Sequence, residues 1–130
     1  MYEEITEKIK ITVKPEFLDE HSDPEEKRFI WAYHVKIENN GKDTVKLVSR
    51  SWTISDSMGR VQEVRGSGVV GENPILKPGS SFEYTSGTPL NTPSGFMMGT
   101  YKMKKNNGSI FHAHIPAFSL DSPHEKGLQN

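Results

Sequence analysis

The sequence has no cysteine, which excludes a disulfide framework, a thiolate zinc site and a cysteine nucleophile. It also lacks a surplus of either charge. Sixteen Lys and Arg stand against 17 Asp and Glu, a formal net charge of −1, so no overall field draws the chain to nucleic acid or an anionic membrane. No stretch approaches the roughly 20 apolar residues that span a bilayer. The opening MYEEITEKIK is acidic and has no apolar run of signal-peptide length. A soluble, cytoplasmic protein is therefore expected. Its 130 residues suit one domain, with residues 1–120 forming it and 121–130, almost free of apolar side chains, a mobile tail.

A helical period is missing too; what is present is a period of two. EITEKIKITV reads as the first strand, in which Ile9, Ile11 and Val13 alternate with polar residues. Phe29, Trp31, Tyr33, Val35 and Ile37 fall on one face of a strand, and His34, Lys36 and Glu38 on the other. Asn39 to Asp43 reads as a turn. In TVKLVSRSWTIS the apolar phase switches between Leu47 and Trp52, which predicts a bulge or a change of buried face. Short strands follow at RVQEV, SSFEYTSG, FMMGTYKMK and SIFHAHIPAF. Pro15 to Lys27 reads as a polar connection, and TPLNTPSG as a loop because its prolines cannot donate to a ladder. The count is about seven strands in an all-β sandwich or barrel.

Gly66-Ser67-Gly68-Val69-Val70-Gly71 matches the dinucleotide pattern G-x-G-x-x-G. In such a site the last glycine opens a helix whose N-terminus holds pyrophosphate. Here Pro74 and Pro78 follow, and proline inside a helix costs about 3 kcal/mol. The segment is therefore expected to be a glycine loop crossing between sheets. One weaker reading stays open: a backbone nest at Gly66, Ser67, Gly68 and Gly71, with Arg65 beside it, holding a small anion.

The run VQEVRGSGVVGENPILKPGSSFEYTSGTPLNTPSGFMMGTYKM, with VKIENNG before it and IPAFSL after it, resembles the ApaG family. The likeness extends from about Ile5 to Leu120. It implies an immunoglobulin or fibronectin-III-like β-sandwich. The same module resembles domains of eukaryotic F-box protein 3 and polymerase-delta-interacting protein 2, where it serves protein–protein contacts. Bacterial members are associated with cobalt resistance and magnesium efflux, and the family name comes from a gene neighbourhood with a diadenosine tetraphosphate hydrolase. The resemblance supplies no catalytic set to carry over.

His112 and His114 share one strand face, and with His34 they could hold a metal. The apolar alternates Phe111, Ala113 and Ile115 instead mark these histidines as solvent-facing. Phe96, Met97 and Met98 form an apolar run in which only alternate residues can face a core. The remainder points outward, either as a Met-rich partner surface or packed against a loop or a subunit. No cofactor, metal, nucleic-acid or membrane partner is expected. The expected function is a non-enzymatic protein-interaction or regulatory module with an unidentified protein partner. A phosphate- or nucleotide-binding protein, or a hydrolase using the glycine loop, is the alternative. Any homodimer is expected to form by edge pairing at the Phe96–Met98 end.

Overall fold

The alternation in FIWAYHVKIEN becomes the spine of the molecule. The computed structural model describes residues 1–124. Among them are nine strands: β1 (Tyr2–Thr6), β2 (Ile9–Phe17), β3 (Phe29–Asn39), β4 (Val45–Asp56), β5 (Val61–Ser67), β6 (Ile75–Leu76), β7 (Ser81–Leu90), β8 (Ser94–Lys105) and β9 (Ile110–Asp121). One antiparallel sheet runs β1-β2-β3-β7. The other runs β5-β4-β8-β9, with β6 extending it beside β4. Their apolar faces close an immunoglobulin/fibronectin-III-like sandwich. No helix among the described residues is long and apolar enough to cross a membrane.

Phe29, Trp31, Tyr33, Val35 and Ile37 are all buried, with Trp31 at 4% exposure. Trp52 of the second sheet lies among their partners. Its ring centroid is 5.2 Å from Tyr33, and it meets Tyr101 and Phe118 nearly edge-on at 6.4 and 6.0 Å. Such tilted aromatic contacts stabilise beyond the area they bury.

The predicted phase switch in β4 is a bulge. The β4–β8 register slips between Leu47 and Ser49, so Val45 and Leu47 point inward before it and Trp52 and Ile54 after it. A second bulge lies where β9 passes Pro116, between the partners of Met97 and Gly99. Proline is tolerated there because a bulge residue need not donate to the ladder.

Three expectations need correction. EITEKIKITV is a hairpin rather than one strand. Glu7 and Lys8 take positive φ (45° and 69°), and Thr6 pairs with Ile9. The turn has the form of type I′ without the usual Asn-Gly. Second, Pro15 and Pro89 are strand residues. Pro15 pairs with Tyr33 in β2. Pro89 pairs with Ile30 in β7, an edge strand whose other side needs no donor. Third, β8 is not an edge. It lies between β4 and β9, so its Phe96–Met98 end cannot add a strand from a second copy.

Asp121 closes β9, the Ser122 N–H donates to Pro93 O at 3.0 Å, and the His124 ring lies 5.8 Å from that of Phe17. The rest of the expected tail, residues 125–130, is outside the described residues.

Candidate functional site

The glycine segment begins inside a strand. Gly66 and Ser67 are ladder residues of β5, opposite Arg50 and Ser49. The Gly68 N–H then donates to Val48 O at the β4 bulge, at 3.0 Å. Val69 and Glu72 exchange both backbone hydrogen bonds at 2.8 Å around Val70 and Gly71, which have φ of 42° and 79°. This is a two-residue turn of the type I′ kind, and no helix follows. Asn73 and Pro74 lead into β6, which pairs with β4 again. The segment therefore stays in one sheet. The crossing to the first sheet comes later, at Lys77–Ser80, where Pro78 and Gly79 (φ 84°) make a type II turn closed by Ser80 N–H to Lys77 O at 2.9 Å.

The spacing of the glycines has a local cause. Arg50 shares the inward phase of Trp52, and its guanidinium lies flat over Gly66. A Cβ there would meet three guanidinium atoms at 2.8–2.9 Å. Arg50 Nη1 donates to Ser67 O (3.0 Å) and Gly68 O (2.9 Å). Asn73 Nδ2 donates to Leu47 O (3.2 Å) and Val48 O (3.0 Å). The Gly68 amide is thus donated to β4, those of Val69 and Glu72 are donated within the turn, and the carbonyls of Ser67 and Gly68 accept from a cation.

Beneath Arg50 the Tyr84 and Tyr101 hydroxyls share a buried hydrogen bond. Burial raises the pKa of both phenols well above its ordinary value, so both are neutral at physiological pH. Arg50 went unnoticed in the sequence. Its signal was its place two residues before Trp52, once the bulge is counted.

Val70 is a β-branched residue at positive φ and half exposed, an uncommon placement with a steric cost. Val70→Asn is expected to stabilise the fold by about 1 kcal/mol, since Asn tolerates this region. Chemical denaturation checks it, and an unchanged or lower midpoint contradicts it.

Arg65 points away from this turn, to the outer face of the second sheet. Its side chain is largely exposed, and Nη2 lies 3.8 Å from the Glu63 carboxylate. Arg65, Ser51, Thr100 and His114 form one cross-strand row; Ser67, Ser49, Lys102 and His112 form the next. Arg65, Lys102, His112, Ser49, Ser51 and Thr100 line a shallow depression of about 240 Å³.

The three histidines do not come together. His112 and His114 face outward from the second sheet. His34 faces outward from the first, bonded through Nδ1 to Thr85 Oγ1 (2.7 Å) and through Nε2 to Glu16 (3.0 Å). Among the described residues no three His, Asp or Glu side chains gather as a metal site would require. Asp56 is a turn cap. Desolvation is the largest single influence and raises its pKa, but the N–H groups of Arg60 and Met58 and the Arg60 guanidinium together outweigh it, so the carboxyl titrates below its ordinary value.

Met97 is buried at 1% exposure, while Phe96 and Met98 point outward and are each 43% exposed. Among the described residues, six large hydrophobic side chains in strands are exposed: Ile5, Val61, Ile75, Phe96, Met98 and Ile110. All but Ile5 lie on the outer face of the second sheet, the face that carries Arg65 and Lys102.

The pattern of the ApaG domain matches residues 19–105. The chain belongs to the ApaG family. Protein ApaG of Rhodospirillum centenum is 61% identical over 130 residues, covering all of both chains, and that of Paramagnetospirillum magneticum is 60% identical with the same coverage. A crystal structure of a Bordetella pertussis protein named ApaA superposes with a TM-score of 0.86 at 47% identity. The match covers 88% of this chain and 94% of that one. The ApaG domain of this chain is therefore a sandwich in which G-x-G-x-x-G is a strand end and a turn.

Proposed function

We propose that this ApaG domain is a non-enzymatic protein-interaction or regulatory module whose working surface is the outer face of the second sheet. One observation carries the reading: exposed apolar side chains are concentrated on that face, with Phe96 and Met98 standing out from a central strand. Exposed apolar clusters of this kind mark contact surfaces. The outer face of the first sheet instead carries charges that pair with one another, Lys10 with Glu3 at 3.3 Å and Lys36 with Glu38 at 3.9 Å.

The test is a quantitative pull-down from native extract with three forms of the chain: the native sequence, Phe96→Ser/Met98→Ser, and Thr12→Ala/Lys14→Ala on the opposite face. A protein retained by the first and third and lost with the second supports the reading. Equal recovery with all three contradicts it.

Cobalt and magnesium tolerance, which the family resemblance associates with such proteins, is then affected through a partner. Calorimetry with cobalt and with magnesium is expected to give no low-micromolar binding. Such binding, abolished by His112→Ala/His114→Ala, would replace this view with a direct metal site.

A further inference from the structure

We propose that the outer face of the second sheet docks an acidic protein segment that also carries apolar side chains. The proposal rests on the interaction reading above and names the chemistry of the partner. Two features of the face define it.

The first is charge without compensation. Lys46, Arg65, Lys102 and Lys104 all project from this face in cross-strand rows that hold no carboxylate; Glu63 lies one row beyond Arg65, Asp121 at the far end, and Glu4 of β1 borders the face beside Met98 and His114. Among the described residues, the only ion pair on the face is the exposed Arg65–Glu63 contact at 3.8 Å. The first sheet contrasts with this: Lys10, His34 and Lys36 each have a carboxylate within 4 Å. Cations left without partners on one sheet, in a chain of nearly zero net charge, are complementary to an acidic ligand rather than to bulk anions.

The second is the order of the rows. Val61 and Phe96 lie near one end of the face. Met98 comes one row on, and Arg65, Thr100, Lys102 and His112 come in the two rows after that. Along β8 the step from Phe96 to Lys102 is six residues, roughly 20 Å of extended chain. A segment seated on this face buries apolar side chains at the Phe96–Met98 end. Its carboxylates then reach the depression between Arg65, Lys102 and His112, where the hydroxyls of Ser49, Ser51 and Thr100 can donate to them.

A second copy of the chain fits less well, because its own outer face brings more cations than carboxylates: Lys46, Arg65, Lys102 and Lys104 against Glu4, Glu63 and Asp121. A nucleic acid would satisfy the cations and leave Val61, Phe96 and Met98 uncovered.

The experiment is an NMR titration of the full chain with three short synthetic peptides. One carries Leu and Phe beside a run of Glu, one has Gln in place of each Glu, and one has Ser in place of Leu and Phe. The first is expected to shift amides around Thr53, Met98, Thr100 and Lys102, and to bind about tenfold or more tightly than either control. Added salt should weaken it. Arg65→Glu/Lys102→Glu, the first at an exposed position and the second at a half-buried one on the outer face, should reduce its affinity by a similar factor while leaving the remaining spectrum folded.

Four results would overturn the proposal. They are equal binding of the Gln peptide, shifts centred on the first sheet, tighter binding of a single-stranded oligonucleotide on the same rows, and concentration-dependent self-association lost with Met98→Ser. If the peptides fail while the Phe96/Met98 pull-down difference stands, the partner class is wrong and the interaction reading survives. If that difference is absent, the interaction reading itself fails.

Discussion

Gly68→Ala is expected to destabilise the fold by about 3 kcal/mol, the largest effect in the glycine segment. A Cβ at Gly68 would sit 2.1 Å from the Glu72 carbonyl oxygen and 2.9 Å from its carbon, and the backbone there has φ of 59°. The obstacle is backbone within a closed turn, so it cannot swing aside. At Gly66 the obstacle is the Arg50 guanidinium, the far end of a flexible side chain. Gly66→Ala should displace it and forfeit its bonds to Ser67 and Gly68, costing roughly 1–2 kcal/mol. Gly71 has open space around it and needs only its positive φ, so Gly71→Asn should fall within about 0.5 kcal/mol of the native chain. Denaturant titration of the three variants reads the order directly. A Gly71→Asn loss as large as that of Gly68→Ala would contradict the turn geometry.

The second large effect is expected at Asn39. It is 99% buried by exposure at the end of β3, with a relative accessibility of 1%. Its Nδ2 donates to Asp43 O (2.8 Å) and Leu76 O (2.9 Å), and its Oδ1 accepts from the Gly41 N–H (3.0 Å). Its own backbone bonds to Ser80 O and to the Gly79 N–H. One side chain thus holds the β3–β4 turn to β6, next to the turn by which the chain crosses between sheets. Asn39→Ala leaves two carbonyls and an amide short of a partner, a cost of about 3 kcal/mol. For a domain of this size that lowers Tm by roughly 10 °C. Asn40→Ala, one residue on and exposed, should stay within about 0.5 kcal/mol. Equal melting of the two variants would show that the network around Asn39 does not hold this end together.

Much of the fold was readable because strands half-buried in a sandwich carry a period of two, and Phe29 to Ile37 keep it without a break. The phase switch in β4 was readable for the same reason; a bulge and a change of buried face both fit it, and the β4–β8 register shows the bulge. What escaped was pairing. Whether β8 is central or an edge depends on contacts with β4 and β9, which no local pattern encodes. The Glu7-Lys8 turn escaped because neither residue favours positive φ, so the hairpin is held by its ladder and not by turn chemistry. Prolines misled at Pro15 and Pro89. Their missing donors matter only in the ladder they would have joined.

At the candidate site, the alternation correctly divided Met97 from Phe96 and Met98. Arg65 and the glycines were adjacent in sequence, but alternation turns Arg65 to one side of β5, where it joins Lys102 and His112. The turn instead engages Arg50, fifteen positions before Arg65 in the chain.

The central claim is that the outer face of the second sheet, and not the glycine turn, meets the partner. Its most direct measurement is in-cell photocrosslinking with a reactive side chain placed singly at Met98, at Val70 on the tip of the turn, and at Thr12 on the opposite face. The expected result is a discrete protein adduct from Met98 and none from Val70 or Thr12. An adduct from Val70 with none from Met98 would contradict the account.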